Sequence, residues 1–180
     1  MIKITLPDGS VKEFASGVTP MEVAKSISEG FARNVISASF NGTTVETTTP
    51  LTTDGSLILY TWNDEDGKKA FWHSTSHVMA QVLEQMYPGI KLTLGPAIAN
   101  GFYYDVDFEE HKITEADFKK IEDRVLEISR GKHEFKLRPV SKADALELYK
   151  DNVYKTEMIT NLEDGTITFC DHDTFTDLCR

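Results

Sequence analysis

Disulfide chemistry is almost missing from this sequence: 180 residues hold two cysteines, Cys170 and Cys179. Two thiols in a chain of this size make no disulfide framework, and a reduced, cytoplasmic setting is expected. No run approaches the roughly 20 consecutive apolar residues of a membrane span, so no membrane partner is expected. The opening MIKITLPDGS lacks a basic start followed by an apolar block and is not read as a signal peptide. Positive charge is scarce as well, with 19 Lys and Arg against 29 Asp and Glu and a net charge of -10. That excludes broad, nonspecific nucleic-acid binding, which needs a basic surface.

What is present is enough apolar material for a core, 40% hydrophobic and 10% aromatic residues, sized for one ordinary domain or two small ones. Basic residues concentrate in one window, from Lys119 to Arg138. Its seven cations (Lys119, Lys120, Arg124, Arg130, Lys132, Lys136, Arg138) outnumber four acids. Mixed pairs on a solvated helix face are the plain reading, and a local RNA-facing patch is the sharper one.

The first sixty residues carry the clearest local signals. Ile2 to Leu6 and Val11 to Phe14 alternate apolar and polar residues around a Pro7-Asp8-Gly9 turn, which predicts a hairpin. Thr19-Pro20-Met21-Glu22 forms a capping box for a short amphipathic helix, with Gly30 as its expected stop. Val35 to Phe40 reads as a strand, Asn41-Gly42 as a tight hairpin turn, and Ser56 to Tyr60 as a last strand. One helix across a small mixed sheet is the β-grasp arrangement. "ITLPDGSVKEF" followed by the Thr-Pro-capped helix resembles the TGS domain, a binding or regulatory module of threonyl-tRNA synthetases, some GTPases and stringent-response enzymes. Polar residues 62–67 read as a linker, giving expected domains of 1–62 and 63–180.

Lys69 to Tyr87 predicts a long helix, stopped by Tyr87-Pro88-Gly89. His73 and His77 lie one turn apart on it, with Cβ atoms about 6 Å from each other. The pair suits one metal or one water. A zinc protease would place Glu after the first His, and Ser74 stands there instead. On this segment alone, two surface or half-buried histidines are a commoner reading than a site. Further on, residues 92–105 suggest Gly-punctuated strands. Thr114 caps a helix to about Arg130, and Phe135 to Val140 reads as a strand. Ser141 caps a helix to about Leu148, and Asn152 to Ile159 and Thr166 to Cys170 read as strands. The fold class is α+β: a β-grasp domain, then a domain with an antiparallel sheet packed by helices.

"FWHSTSHVMAQVL", "LGPAIANGFYYD", "YKTEMI" and "TDLCR", in that order, resemble the threonyl-tRNA synthetases from end to end: a TGS domain, then the editing domain. The resemblance implies proofreading, the hydrolysis of mischarged seryl-tRNA(Thr). It assigns His73 and His77 to the water, Cys179 to the pocket, and Asp177 to the substrate amine or the water. Lys155 would neutralise phosphate or the developing oxyanion, and Tyr104 would sit at the terminal adenosine. A core aromatic is an equal reading of Tyr104. The family pattern continues Cys-Arg-Gly-Pro-His, so its last histidine lies outside a sequence ending at Arg180, and water positioning is expected to be incomplete. His172 reads as a surface residue in an acidic stretch. The resemblance further implies tRNA(Thr) as partner and no cofactor or metal in this region. ATP, magnesium, zinc and homodimer contacts would belong to a catalytic domain absent from this sequence. Two rivals stand: an RNA-binding or regulatory TGS module without hydrolysis, and a zinc-dependent hydrolase of another kind.

Overall fold

The computed structural model describes residues 1–179. The chain divides into two compact units, Met1–Trp72 and His73–Arg180.

The first unit is built from β1 (Ile2–Thr5), β2 (Val11–Phe14), α1 (Pro20–Ile27), α2 (Glu29–Ala32), β3 (Val35–Phe40), β4 (Thr43–Val45) and β5 (Gly55–Thr61). The sheet order is β2-β1-β5-β3-β4, with β1 and β5 parallel and the other pairs antiparallel. Only the parallel pair needs a crossover, and the α1–β4 segment supplies it. Turn chemistry fixes both hairpins. Gly9 sits at φ 81°, and Asn41 and Gly42 at 51° and 83°, values that Asn and Gly reach at low cost. The Thr19–Glu22 capping box forms in both directions. Val23 and Ala24 of α1 are fully buried, Val23 joining Ile2, Ile4, Ala38, Leu51 and Leu57 in one core. Each fully buried aliphatic side chain there contributes about 1.5–3 kcal/mol.

Two expectations fail in this unit. Gly30 does not end the helix. Ser28 does, adopting extended backbone and capping α2 through its hydroxyl, which accepts from the Phe31 N–H at 3.0 Å. Residues 62–67 are not all linker. The next helix, α3 (Glu65–Met86), starts four residues before Lys69. Asp64 prepares that start, its carboxylate accepting from the Thr61 N–H and hydroxyl. Gly67 is required because a Cβ there would overlap the Thr61 carbonyl. Trp62, Phe71 and Trp72 meet edge to face, with ring centroids 5.1–5.6 Å apart.

The second unit holds the rest of α3 and four two-residue strands: β6 (Lys91–Leu92), β7 (Ala97–Ile98), β8 (Gly101–Phe102) and β9 (Val106–Asp107). There follow α4 (Glu115–Arg130), β10 (Phe135–Pro139), α5 (Lys142–Leu148), α6 (Val153–Thr160), β11 (Thr168–His172) and β12 (Phe175–Cys179). β10, β11 and β12 make one antiparallel sheet, Cys170 opposite Asp177 and Thr168 opposite Cys179. Strand alternation sends His172, Cys170, Asp177 and Cys179 to one face and Phe169 and Leu178 to the other. Phe169 and Leu178 pack with Ala145 of α5 and Ile159 of α6. Val78 and Val82 of α3 pack on Ile128 of α4.

The strand expected over Asn152 to Ile159 is helix α6. β-branched residues at Val153, Thr156 and Ile159 favour extended chain locally. The Asn152 side chain decides otherwise, accepting from the Lys155 N–H at 3.1 Å as an N-cap. Its amide also donates to the Leu92 carbonyl at 2.8 Å. Lys155 and Ile159, one helical turn apart, are then both buried. Among the described residues no helix is long and apolar enough to cross a membrane.

Candidate hydrolytic site

Two elements distant in sequence bring the chemistry together. α3 presents His73 and His77 from one side, since residues four apart share a face. β12 presents Asp177 and Cys179 on one side of its pleat, since residues two apart do. His73 Nε2 lies 3.2 Å from Cys179 Sγ, across 106 residues, and 3.1 Å from His77 Nε2. His77 Nδ1–H donates to Asp177 Oδ2 at 2.8 Å. His77 is thereby oriented with Nε2 toward His73 and Cys179.

Asp177 is the hub. It is 1% exposed and accepts from three directions. Tyr104 OH donates to Oδ2 at 2.7 Å beside His77, and Lys155 Nζ donates to Oδ1. Lys155 is itself 1% exposed, its ammonium 4.6 Å from the centre of the Tyr149 ring. A buried carboxylate and a buried ammonium are tolerated because each neutralises the other and both are hydrogen-bonded. Lys155 faces Asp177, so its geometry serves the hub. Tyr104 is both core and site: its ring packs with Ala80, Leu92 and Phe175 while its hydroxyl holds Asp177. Gly95 lets that ring in, since a Cβ there would overlap it.

The charges follow from the neighbours. Burial pushes Asp177 up, but the His77 bond and the Lys155 charge outweigh it and hold the carboxyl well below its usual range. Burial disfavours a charge on His77, yet the bonds to Asp177 and Cys179 raise it from 6.5 to about 9. The Cys179 thiol falls from 9.0 to about 3. The Cys170 thiol beside it is the largest cause; burial opposes, and His73 and His77 add to the lowering. At neutral pH the site therefore holds a Cys179 thiolate, a His77 imidazolium and an Asp177 carboxylate, the last bonded to Lys155 Nζ. Tyr104 is pushed up, by burial first and then by Asp177, and stays a neutral donor.

His172 overturns its surface assignment. It is 3% exposed, bonded through Nδ1 to Gln81 Oε1 at 2.7 Å and stacked on Phe135 at 4.2 Å. Its acidic neighbours point elsewhere: Asp171 pairs with Arg138 and Asp173 with His133. Strand parity was the signal, because His172 shares its face with Cys170. Gln81 was not singled out either, although it lies one turn beyond His77 on the same face of α3. In the basic window, Lys119, Lys120, Arg124, Lys136 and Arg138 all have carboxylate partners. That favours the solvated-face reading over an RNA patch.

Over its whole length the chain is homologous to the N-terminal region of threonine–tRNA ligases. It is 86% identical over 180 residues to the threonine–tRNA ligase of Flavobacterium johnsoniae and 83% identical to that of Flavobacterium psychrophilum. To the ligase of Parabacteroides distasonis it is 51% identical over 182 residues. All of this chain is covered in each case, and it spans 28% of those relatives' length. The TGS domain profile matches residues 2–61, the β-grasp unit.

Proposed function

We propose that the second unit is a proofreading hydrolase that removes serine from mischarged seryl-tRNA(Thr), with His73, His77 and Cys179 at the reacting atoms. The observation that carries this reading is the convergence of His73 Nε2, His77 Nε2 and Cys179 Sγ in front of a buried Asp177. Serine differs from threonine by one methyl group, worth only about 1–3 kcal/mol of discrimination at a single binding step. A synthetic site that recognises the hydroxyl therefore accepts some serine, and a second, smaller hydrolytic site restores accuracy.

Water attacks the ester carbonyl of the seryl group. Its proton passes to the His73–Cys179 pair, where the thiolate provides the negative end. The ester C–O bond breaks, and the ribose oxygen takes a proton from the His77 imidazolium. The products are free serine and tRNA with its terminal hydroxyl restored. Proton return from Cys179 to His77 resets the site. Asp177, Lys155 and Tyr104 act through His77 as positioning residues. No metal enters these steps. The TGS unit serves as a binding module for RNA. In the whole protein, ATP, magnesium and zinc serve charging of tRNA(Thr) elsewhere in the chain, homodimer contacts lie there too, and the enzyme works in the cytoplasm.

The test is deacylation of seryl-tRNA(Thr) against threonyl-tRNA(Thr) by the full-length protein. The reading expects rapid release of serine, little release of threonine, and a fall in the seryl rate in His73→Ala with the fold retained. Equal rates on both substrates refute it.

A further inference from the structure

Among the described residues β12 has one strand neighbour, β11, so its outer edge lacks the partner that a ladder supplies. One phenol takes that place. Tyr149, the C-cap of α5, donates its hydroxyl to the Thr176 carbonyl at 3.2 Å, and the Leu178 N–H bonds the same oxygen. The Thr176 carbonyl and the Leu178 N–H belong to the two peptide planes that meet at the Asp177 Cα. Those planes carry the two soft dihedrals of Asp177, so a single hydroxyl fixes both. From the inner side β11 holds Asp177 opposite Cys170. The ring acts on the other half of the hub. Lys155 Nζ lies 4.6 Å from its centre, over a face that attracts a cation. The ring also meets Phe169 edge to face at 5.6 Å. The Tyr149 carbonyl accepts from the Asn152 N–H and the Thr156 hydroxyl, each at 2.8 Å, which ties α6, and with it Lys155, to the same residue. Tyr149 thus holds both partners of the Lys155–Asp177 pair, the acid through its backbone and the base through its head.

We propose that Tyr149 is a positioning residue of the hydrolytic site: its hydroxyl sets the backbone of Asp177 and its ring the head of Lys155, so that the carboxylate meets His77 in register. Asp177 orients His77 through the Nδ1 bond at 2.8 Å, and a misplacement of about 1 Å at a reacting group costs roughly 100-fold in rate. The positioning role rests on the editing reading given above; the hydroxyl bridge does not.

Tyr149→Phe removes the hydroxyl and keeps the ring, with its packing on Phe169 and its face toward Lys155. In the full-length protein it should lower kcat for seryl-tRNA(Thr) hydrolysis about 10–100-fold and leave KM within about twofold, because the hydroxyl places Asp177 and binds no substrate. A merely structural role would lower the urea midpoint and leave kcat per folded molecule unchanged. That result overturns the proposal, as does a loss carried by KM alone. Amide hydrogen exchange reads the bridge without substrate. The Leu178 N–H should be protected in the unaltered protein and exchange about 3–10-fold faster in Tyr149→Phe. A Leu178 N–H that exchanges as fast as an open strand edge in the unaltered protein overturns the bridge, whether or not the variant folds. An unaltered protein that leaves seryl-tRNA(Thr) intact overturns the editing reading and the positioning role together, while exchange still decides the bridge.

Discussion

Replacing Lys155 by Met isolates the energetics of the hub. The ammonium and the Asp177 carboxylate are each 1% exposed and hydrogen-bonded to each other. Met conserves most of the stem volume and its packing on Tyr149, so the change is chiefly electrostatic. It leaves Asp177 buried with two donors, His77 Nδ1 and Tyr104 OH, and without its permanent cation. Removing one partner of a buried pair costs about 3–5 kcal/mol, because the remaining charge is stranded. Adding Asp177→Asn to Lys155→Met removes that charge. The double variant should then be less destabilised than the sum of the singles, with a coupling of about 0.5–3 kcal/mol. Urea unfolding followed by far-ultraviolet circular dichroism measures all four species. A cost below about 1 kcal/mol for Lys155→Met is the range of exposed pairs and would refute a buried ionic hub.

Other outcomes follow from the same network. Cys179, with its thiol lowered to about 3, should alkylate with iodoacetamide at a rate nearly flat between pH 5 and pH 8, while the 3%-exposed Cys170 resists. Peptide mass spectrometry separates the two, and a Cys179 rate rising tenfold per pH unit would contradict the thiolate. Gly95→Ala should displace the Tyr104 ring and slow seryl-tRNA(Thr) hydrolysis more than it lowers stability, since the new Cβ overlaps that ring; an unchanged rate sinks Tyr104 as a support of Asp177. Folding stability should be nearly level from pH 6.5 to 9. There the His77 contribution is lost as pH rises through its folded value of about 9, while that of Cys179, depressed from 9.0, grows. Below pH 6.5 the His77 contribution is complete, that of Cys179 is still being lost, and His172, lowered from 6.5 by burial, adds to the loss, so stability should decline toward pH 3. In Cys179→Ser the level stretch should turn into a decline above pH 6.5, and guanidinium titrations at successive pH values read both slopes.

Much of this was legible in the sequence, and the rest fails for identifiable reasons. Pro7-Asp8-Gly9, Asn41-Gly42 and the Thr19–Glu22 box are local signals, and each formed where its chemistry required. α6 was misread because Val, Thr and Ile at its positions favour strand, whereas the Asn152 cap and the burial of Lys155 depend on partners in β6 and β12. His172 was misread because adjacent acids suggested solvent, while strand parity turned it inward to Gln81. The pairing of Lys155 with Asp177 has no local signature. A lysine between Tyr154 and Thr156 reads as exposed in any window, and only the folded sheet gives it a carboxylate.

The four charged groups of the site explain why catalytic and structural roles cannot be separated there. Two anions, Asp177 and Cys179, face two cations, Lys155 and His77, so the buried set sums to zero. Transfer of isolated charges to such an interior would cost several kcal/mol each, and neutrality makes the arrangement tolerable. The neighbours fix the reactive forms: the thiolate persists because the Cys170 thiol bonds it, with His73 and His77 adding to the effect, and the imidazolium persists because Asp177 holds its far nitrogen. The protein needs a base and an acid at one pH, and ordinary cysteine and histidine would both be neutral near pH 8. Shifting the two groups in opposite directions gives both roles at once. Altering Asp177 or Lys155 must therefore change the proton chemistry and the fold together, whereas half-buried His73 is the position at which chemistry can be removed while the fold stays.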